Sequence, residues 1–167
     1  QEFYKPNTAI AKMKKRTSLI KSTILSFILF FFLHTNAQLA AFPGAEGYGK
    51  FATGGRTGSV YHVTNLNNTG AGSLRDAVSS PNRIVVFDVA GVIKITGRMI
   101  VAANIYIAGQ TAPGEGITVY GDGWSFSNAN NTICRYMKIR MGIVGASGKD
   151  ANGLADGHDI IFDHCSV

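Results

Sequence analysis

Cysteine, acidic residues and long apolar runs are all scarce in this chain. Two cysteines among 167 residues, Cys134 and Cys165, are too few for a disulfide framework. They stand either as buried thiols or as one bridge, and the sequence leaves that open. The longest apolar run, Ser22 to Leu33, has twelve residues, short of the about twenty that span a bilayer. No Cys follows that run, so a lipid-anchored terminus is not indicated. Glycines are frequent from Gly44 to Gly58, yet no Gly-Lys-Ser/Thr follows in a strand-to-helix setting, so they read as tight turns and not as a phosphate cradle. Acids number ten against sixteen Lys and Arg, a formal charge of +6. Most of that excess sits in residues 1–37, which carry Lys5, Lys12, Lys14, Lys15, Arg16 and Lys21 against Glu2 alone. The remainder is close to neutral, which removes the main argument for a nucleic-acid partner.

What the leader does contain is ordered like an export signal. Lys12 to Arg16 is a basic start, Ser22 to Leu33 an apolar middle, and Thr35-Asn36-Ala37 a stretch of small or polar residues for cleavage before Gln38. Met13 is the expected translational start. The expected division is therefore 1–37 as upstream residues and signal peptide, and 38–167 as the mature domain. Secretion or delivery to a periplasm follows, with membrane contact only through the leader.

Beyond the leader, one helix is expected. Ser73 caps the N–H of Asp76, Asp76 reaches back, and Leu74, Ala77 and Val78 share a face. Thereafter short apolar runs end at Gly, Asn or Asp: 84–89, 92–95, 104–109, 117–121, 132–140 and 160–162. Asn82, Asn104, Asn131 and Asp159 each precede a run, at separations of 22, 27 and 28 residues. A helix-free repeat of that size marks a solenoid, although a β-sandwich also suits short strands at this spacing. Stacked coils would set the three Asn in a hydrogen-bonded ladder, and the long interval from Gly142 to Gly157 would bulge outward over a groove. The same interval and the stretch after it gather Asp150, Asp156, Asp159, Asp163, His158 and His164.

Four stretches carry a family resemblance. Ile161-Phe-Asp-His-Cys-Ser166 resembles the Ile-Trp-Ile-Asp-His-Cys signature of the pectate lyases, and three others resemble secreted bacterial members in the same order. These are Phe42-Pro-Gly-Ala-Glu-Gly-Tyr-Gly49, Gly72-Ser-Leu-Arg-Asp-Ala-Val78 and Asn104-Ile-Tyr-Ile-Ala-Gly-Gln-Thr-Ala-Pro-Gly114. The resemblance implies an all-β fold: a right-handed, single-stranded parallel β-helix with a short N-terminal capping helix, incomplete at its C-terminus. It implies a monomeric enzyme acting on pectate, the acidic polygalacturonate of plant cell walls. Such enzymes cleave by β-elimination, with Ca²⁺ assisting removal of the C5 proton.

Residue by residue, the resemblance places Asp150 at a calcium-ligand position, with Asp156 a substitute for a second. Met141 and Ala146 stand where the family keeps further acids. Arg135, Lys138 and Arg140 are the candidate ligands for substrate carboxylates, against the alternative of solvated strand residues. Asp163 and His164 are structural groups near the groove. The catalytic arginine is expected beyond Val167, so the chain alone is expected to turn over little or no substrate. A Zn²⁺ site from His158, His164 and Cys165 fits none of the common zinc spacings. The remaining alternatives are a β-helix enzyme for another polysaccharide and a non-catalytic carbohydrate-binding solenoid.

Overall fold

A computed structural model describes residues 8–32, 38–145 and 147–167. The expected cleavage residues 35–37 and Ala146 lie outside them. The chain falls into two compact units, Gln1–Gln38 and Leu39–Val167. The first contains α1 (Thr8–Phe32), and no helix among the described residues is long and apolar enough to cross a membrane.

The second unit is a parallel β-helix. β1 (Ser59–Val63) is followed by three coils of three strands each. The first coil is β2 (Arg83–Phe87), β3 (Gly91–Ile95) and β4 (Met99–Ile100). The second is β5 (Ile105–Ala108), β6 (Ile117–Gly121) and β7 (Trp124–Ser125). The third is β8 (Thr132–Arg135), β9 (Met137–Arg140) and β10 (Asn152–Gly153), after which β11 (Ile160–Asp163) opens a further coil. Equivalent strands pair in parallel into sheet A (β1-β2-β5-β8-β11), sheet B (β3-β6-β9) and sheet C (β4-β7-β10).

The corner residues set the register. Arg83 pairs with Ile105, and Thr132 with Ile160, so Asn82, Asn104, Asn131 and Asp159 occupy one corner of successive coils. All four adopt a left-handed backbone, φ +55° to +60°, a conformation that short polar side chains tolerate best after glycine. The ladder is made at its centre: Asn131 Nδ2 donates to Asn104 Oδ1 at 2.7 Å. The run expected at 132–140 is two strands, because Tyr136 also turns left-handed (φ +57°) and sends β9 into sheet B.

Alternation along each strand buries one face (Val85, Ile107 and Cys134 in sheet A, Ile93, Val119 and Ile139 in sheet B, Met99 and Trp124 in sheet C). Trp124 stacks on Phe126 at 5.5 Å, and Phe126 meets Phe162 edge-on at 4.8 Å. The helix α2 (Leu74–Val78) buries Leu74, Ala77 and Val78 against β1, β2 and β4, covering that end of the stack as expected. Ser73 Oγ does accept from Asp76 N at 3.2 Å. The reciprocal half of the expected capping box is absent: Asp76 accepts from Tyr61 Oη at 2.6 Å, and Ser73 N donates to Gly70 O.

The glycine-rich segment after Leu39 is more than a run of turns. It straps the outer face of sheet A, with Asn131 holding Thr53 through N (2.6 Å) and Oγ1 (2.6 Å), and with Phe42 lying under the Arg135 guanidinium at 3.9 Å. A side chain at Gly54 would collide with Ile133, so the strap closes on the sheet only with glycine there. The strap thereby covers sheet A around Ile133 and Arg135, while Val60 and His62 of β1 stay exposed.

Candidate functional site

The three cations proposed for substrate carboxylates divide between two sheets, Arg135 on sheet A and Lys138 and Arg140 on sheet B. Arg135 Nε donates to Asp163 Oδ2 at 2.6 Å, and the two side chains are only 18% and 20% exposed beneath the strap. Burial works to lower the Arg135 pKa, but hydrogen bonds to Asp163 and Tyr106 outweigh it and raise it further. Lys138 and Arg140 alternate outward on β9. Lys138 Nζ donates to Glu115 O at 2.8 Å, and Arg140 donates to Ser166 O and Oγ at 2.9 and 2.8 Å. In register beside them stand Thr118 and Tyr120, then Val92 and Lys94. Lys138 also lines a shallow hollow of about 380 Å³ with Glu115, Tyr136, His164 and Ser166.

Asp163 and His164 sit together beside Arg135. Asp163 Oδ2 meets both Arg135 and His164 Nδ1, the latter at 2.9 Å. Burial pushes its pKa up, yet the His164 and Arg135 contacts dominate and hold it below the ordinary value. His164 stacks on Tyr136 at 4.6 Å and 13°. His158 pairs with Asp159 at 2.8 Å.

Cys134 and Cys165 are free thiols with sulfurs 3.9 Å apart. Their mutual hydrogen bond raises buried Cys134 well above its ordinary value, with burial adding to the rise. The same bond brings Cys165 down to about 7, against the opposing effect of burial.

Asp150 lies just before β10, at the end of the loop that joins β9 of sheet B to β10 of sheet C. Asp156, with φ +50°, follows the far end of β10, so the two candidate calcium ligands are separated by the strand itself. The neighbour that sequence reading missed is Asp122. Met99, Trp124 and Asn152 pair across sheet C; counting back two residues from each aligns Gly97, Asp122 and Asp150. Strands in a sheet lie about 4.8 Å apart, so Asp122 and Asp150 share one edge in successive coils. Asp122 Oδ2 also accepts from Gly97 N. A signal for Asp122 was present: it stands nine residues before Asn131, as Asp150 stands nine before Asp159.

Calcium takes roughly six to eight oxygen ligands. Among the described residues no three His, Cys, Asp or Glu side chains gather to hold a metal. Two acids at one edge do not make a calcium site by themselves.

A second missed residue crosses the same face. Arg98 enters β4, and its Nη1 reaches over to donate to Asp150 O at 2.9 Å. Its own turn is held by Arg75 of α2, whose guanidinium donates to the carbonyls of Thr96, Gly97 and Arg98. The capping helix thus fixes where Arg98 starts, and the Asp150 loop fixes where it ends.

Comparison with known proteins decides the family. The chain is 65% identical over 135 residues to a protein named probable pectate lyase C from Aspergillus flavus, covering 81% of this chain and 32% of that one. It is 66% identical over 129 residues to one of the same name from Aspergillus fumigatus, covering 77% and 31%. By sequence, the chain belongs to the pectate lyase family. It spans about a third of the length of these relatives. They are fungal, so the expected bacterial affiliation is not supported. No family model matches the chain. Among solved structures, the crystal structure of jun a 1, the major allergen from cedar pollen, aligns with a TM-score of 0.50 at 16% identity, covering 71% of this chain and 47% of that one. At that identity the likeness bears on the fold alone, which is a parallel β-helix.

Proposed function

We propose that this chain is part of a secreted polysaccharide lyase that binds pectate beside the edge carrying Asp122 and Asp150 and cleaves it by β-elimination. The observation that carries the reading is the 65% identity over 135 residues to proteins named pectate lyase. The choice of place rests on the strap over sheet A and on Asp122 and Asp150, which stand at one edge in successive coils. β-Elimination removes the C5 proton of a galacturonate and expels the C4 oxygen, leaving an unsaturated uronate. The sugar's own carboxylate makes that proton removable by taking up charge, so a protein group that engages the carboxylate serves both binding and chemistry. Calcium would belong to the whole protein, with Asp122 and Asp150 as this chain's share of the ligands. Export through the leader is part of the same proposal, and N-terminal sequencing of secreted material should begin at Gln38.

The test is incubation of the whole protein and of this chain with polygalacturonate, following unsaturated product in the ultraviolet. The whole protein is expected to generate it. Pectate binding without unsaturated product from the whole protein would favour a carbohydrate-binding solenoid, and reducing ends without unsaturation would indicate hydrolysis.

A further inference from the structure

We propose that Cys134 and Cys165 are a modification site: a dithiol that a small-molecule disulfide converts, reversibly, into a cross-link between the third coil and the next. The inference is independent of the pectate reading. These two are the chain's only cysteines. The fold brings them together across 31 residues, Sγ to Sγ at 3.9 Å. Cys134 is fully buried on β8, where Ile107 and Phe162 flank it in register. Cys165 follows β11 after the left-handed turn at His164 (φ +52°) and is half-buried. Its sulfur reaches toward β8 and donates to Cys134 O at 3.4 Å. A disulfide sets its sulfurs about 2 Å apart, so the pair must close by roughly 2 Å. The movement falls to Cys165. Cys134 sits on a strand paired on both sides, whereas beyond Asp163 the chain is tied to β9 by one isolated bridge, Lys138 with Ser166.

The two sulfurs have different parts in the exchange. Their mutual hydrogen bond brings the Cys165 thiol down to about 7 and raises Cys134 well above its ordinary value, so Cys165 is the thiolate near neutrality. Cys165 is open to solvent on one side and meets Cys134 on the other. Its thiolate attacks one sulfur of the small disulfide RSSR, which forms a mixed disulfide and releases RS⁻. That ion takes up a proton equal to the one Cys165 gave to solvent. Cys134 then attacks Cys165 Sγ from the interior, the bond from Cys165 to SR breaks, and the Cys134 proton leaves with the second RSH. The dithiol has lost two hydrogens, and RSSR has become two RSH. The segment so closed contains β9, β10 and the loop that ends at Asp150. Joining its ends removes freedom from the unfolded chain and locks the coil that carries Asp150 to the one after it.

The experiment incubates the wild-type chain, Cys134→Ala and Cys165→Ala with excess oxidised glutathione at neutral pH. Intact mass, the thiol count after denaturation and urea unfolding are then read. Wild type should remain a monomer, lose two hydrogens and both free thiols, and regain them in dithiothreitol. The oxidised chain should unfold about 1 M urea or more above the reduced one. Cys134→Ala should react more slowly and stop at the mixed disulfide, one glutathione heavier, because no second thiol displaces it. Cys165→Ala should take up no glutathione while folded, since Cys134 is buried. Wild type that keeps both thiols, stops at the glutathione adduct or joins two chains through sulfur would overturn the site. An oxidised monomer with the urea midpoint of the reduced chain would overturn the lock. The wild-type arms decide both points even where a variant folds poorly.

Discussion

Replacing Asp163 by asparagine should destabilise the β-helix by about 2 kcal/mol at neutral pH and progressively less in acid. The pair it breaks joins β8 to β11 through a 2.6 Å contact, with side chains about one-fifth exposed. Exposed pairs contribute about 0–1 kcal/mol, and breaking a fully buried one costs about 3–5 kcal/mol. This pair sits between those limits, and Arg135 keeps its contact with the Phe42 ring, worth about 0.5–1 kcal/mol. The pH dependence follows from the carboxyl's lowered pKa. Burial opposes ionisation, but His164 and Arg135 prevail, so the folded-state value lies below the ordinary 3.8. The carboxylate's contribution is therefore complete above 3.8 and is lost as pH falls through the folded value. Urea unfolding followed by circular dichroism should show the midpoint of Asp163→Asn about 1 M lower at pH 7, with the gap closing in strong acid. A midpoint unchanged at pH 7, or a gap that stays constant into acid, would refute the reasoning.

Thr132 is fully buried, its hydroxyl has no partner among the described residues, and its row neighbours are Ile105 and Ile160. Thr132→Val should raise stability by about 1 kcal/mol in the same assay. Asn131 combines a left-handed backbone with bonds to Thr53 and Asn104. Asn131→Ala should cost about 2 kcal/mol or more, and Asn131→Gly about 1 kcal/mol less than that, because glycine removes only the bonds and not the backbone fit. Maleimide should label Cys165 with a midpoint near pH 7 and leave buried Cys134 untouched. In Cys134→Ala the lowering hydrogen bond is gone and labelling at pH 7 should slow. Equal labelling of both thiols would contradict that assignment.

The legible parts of this fold were those with a side-chain pattern long enough to read. Strands of four or five residues announce themselves by alternation, and the Asn–Asp corners by spacing, since one left-handed residue per coil is needed where sheet A begins. The starts of the apolar runs were a poorer guide: Ile84 pairs with Tyr106 and not with Ile105, because Arg83 already occupies the first strand position. Sheet C was invisible to periodicity, as two residues show no period. The site at its edge suffered most. Asp150 was found through the family signature, whereas Asp122 and Arg98 sit among turn residues, Gly121-Asp122-Gly123 and Thr96-Gly97-Arg98. Arg135, Lys138 and Arg140 attracted attention as a cluster in sequence, yet the left-handed turn at Tyr136 places the first on sheet A and the other two on sheet B.

Hydrogen exchange with and without a galacturonate oligomer tests the placement of the groove most directly. Slowed exchange should centre on residues 120–123 and 148–151, the turns that carry Asp122 and Asp150. Protection centred on 132–135 and 160–163 would move the sugar to sheet A and contradict the account.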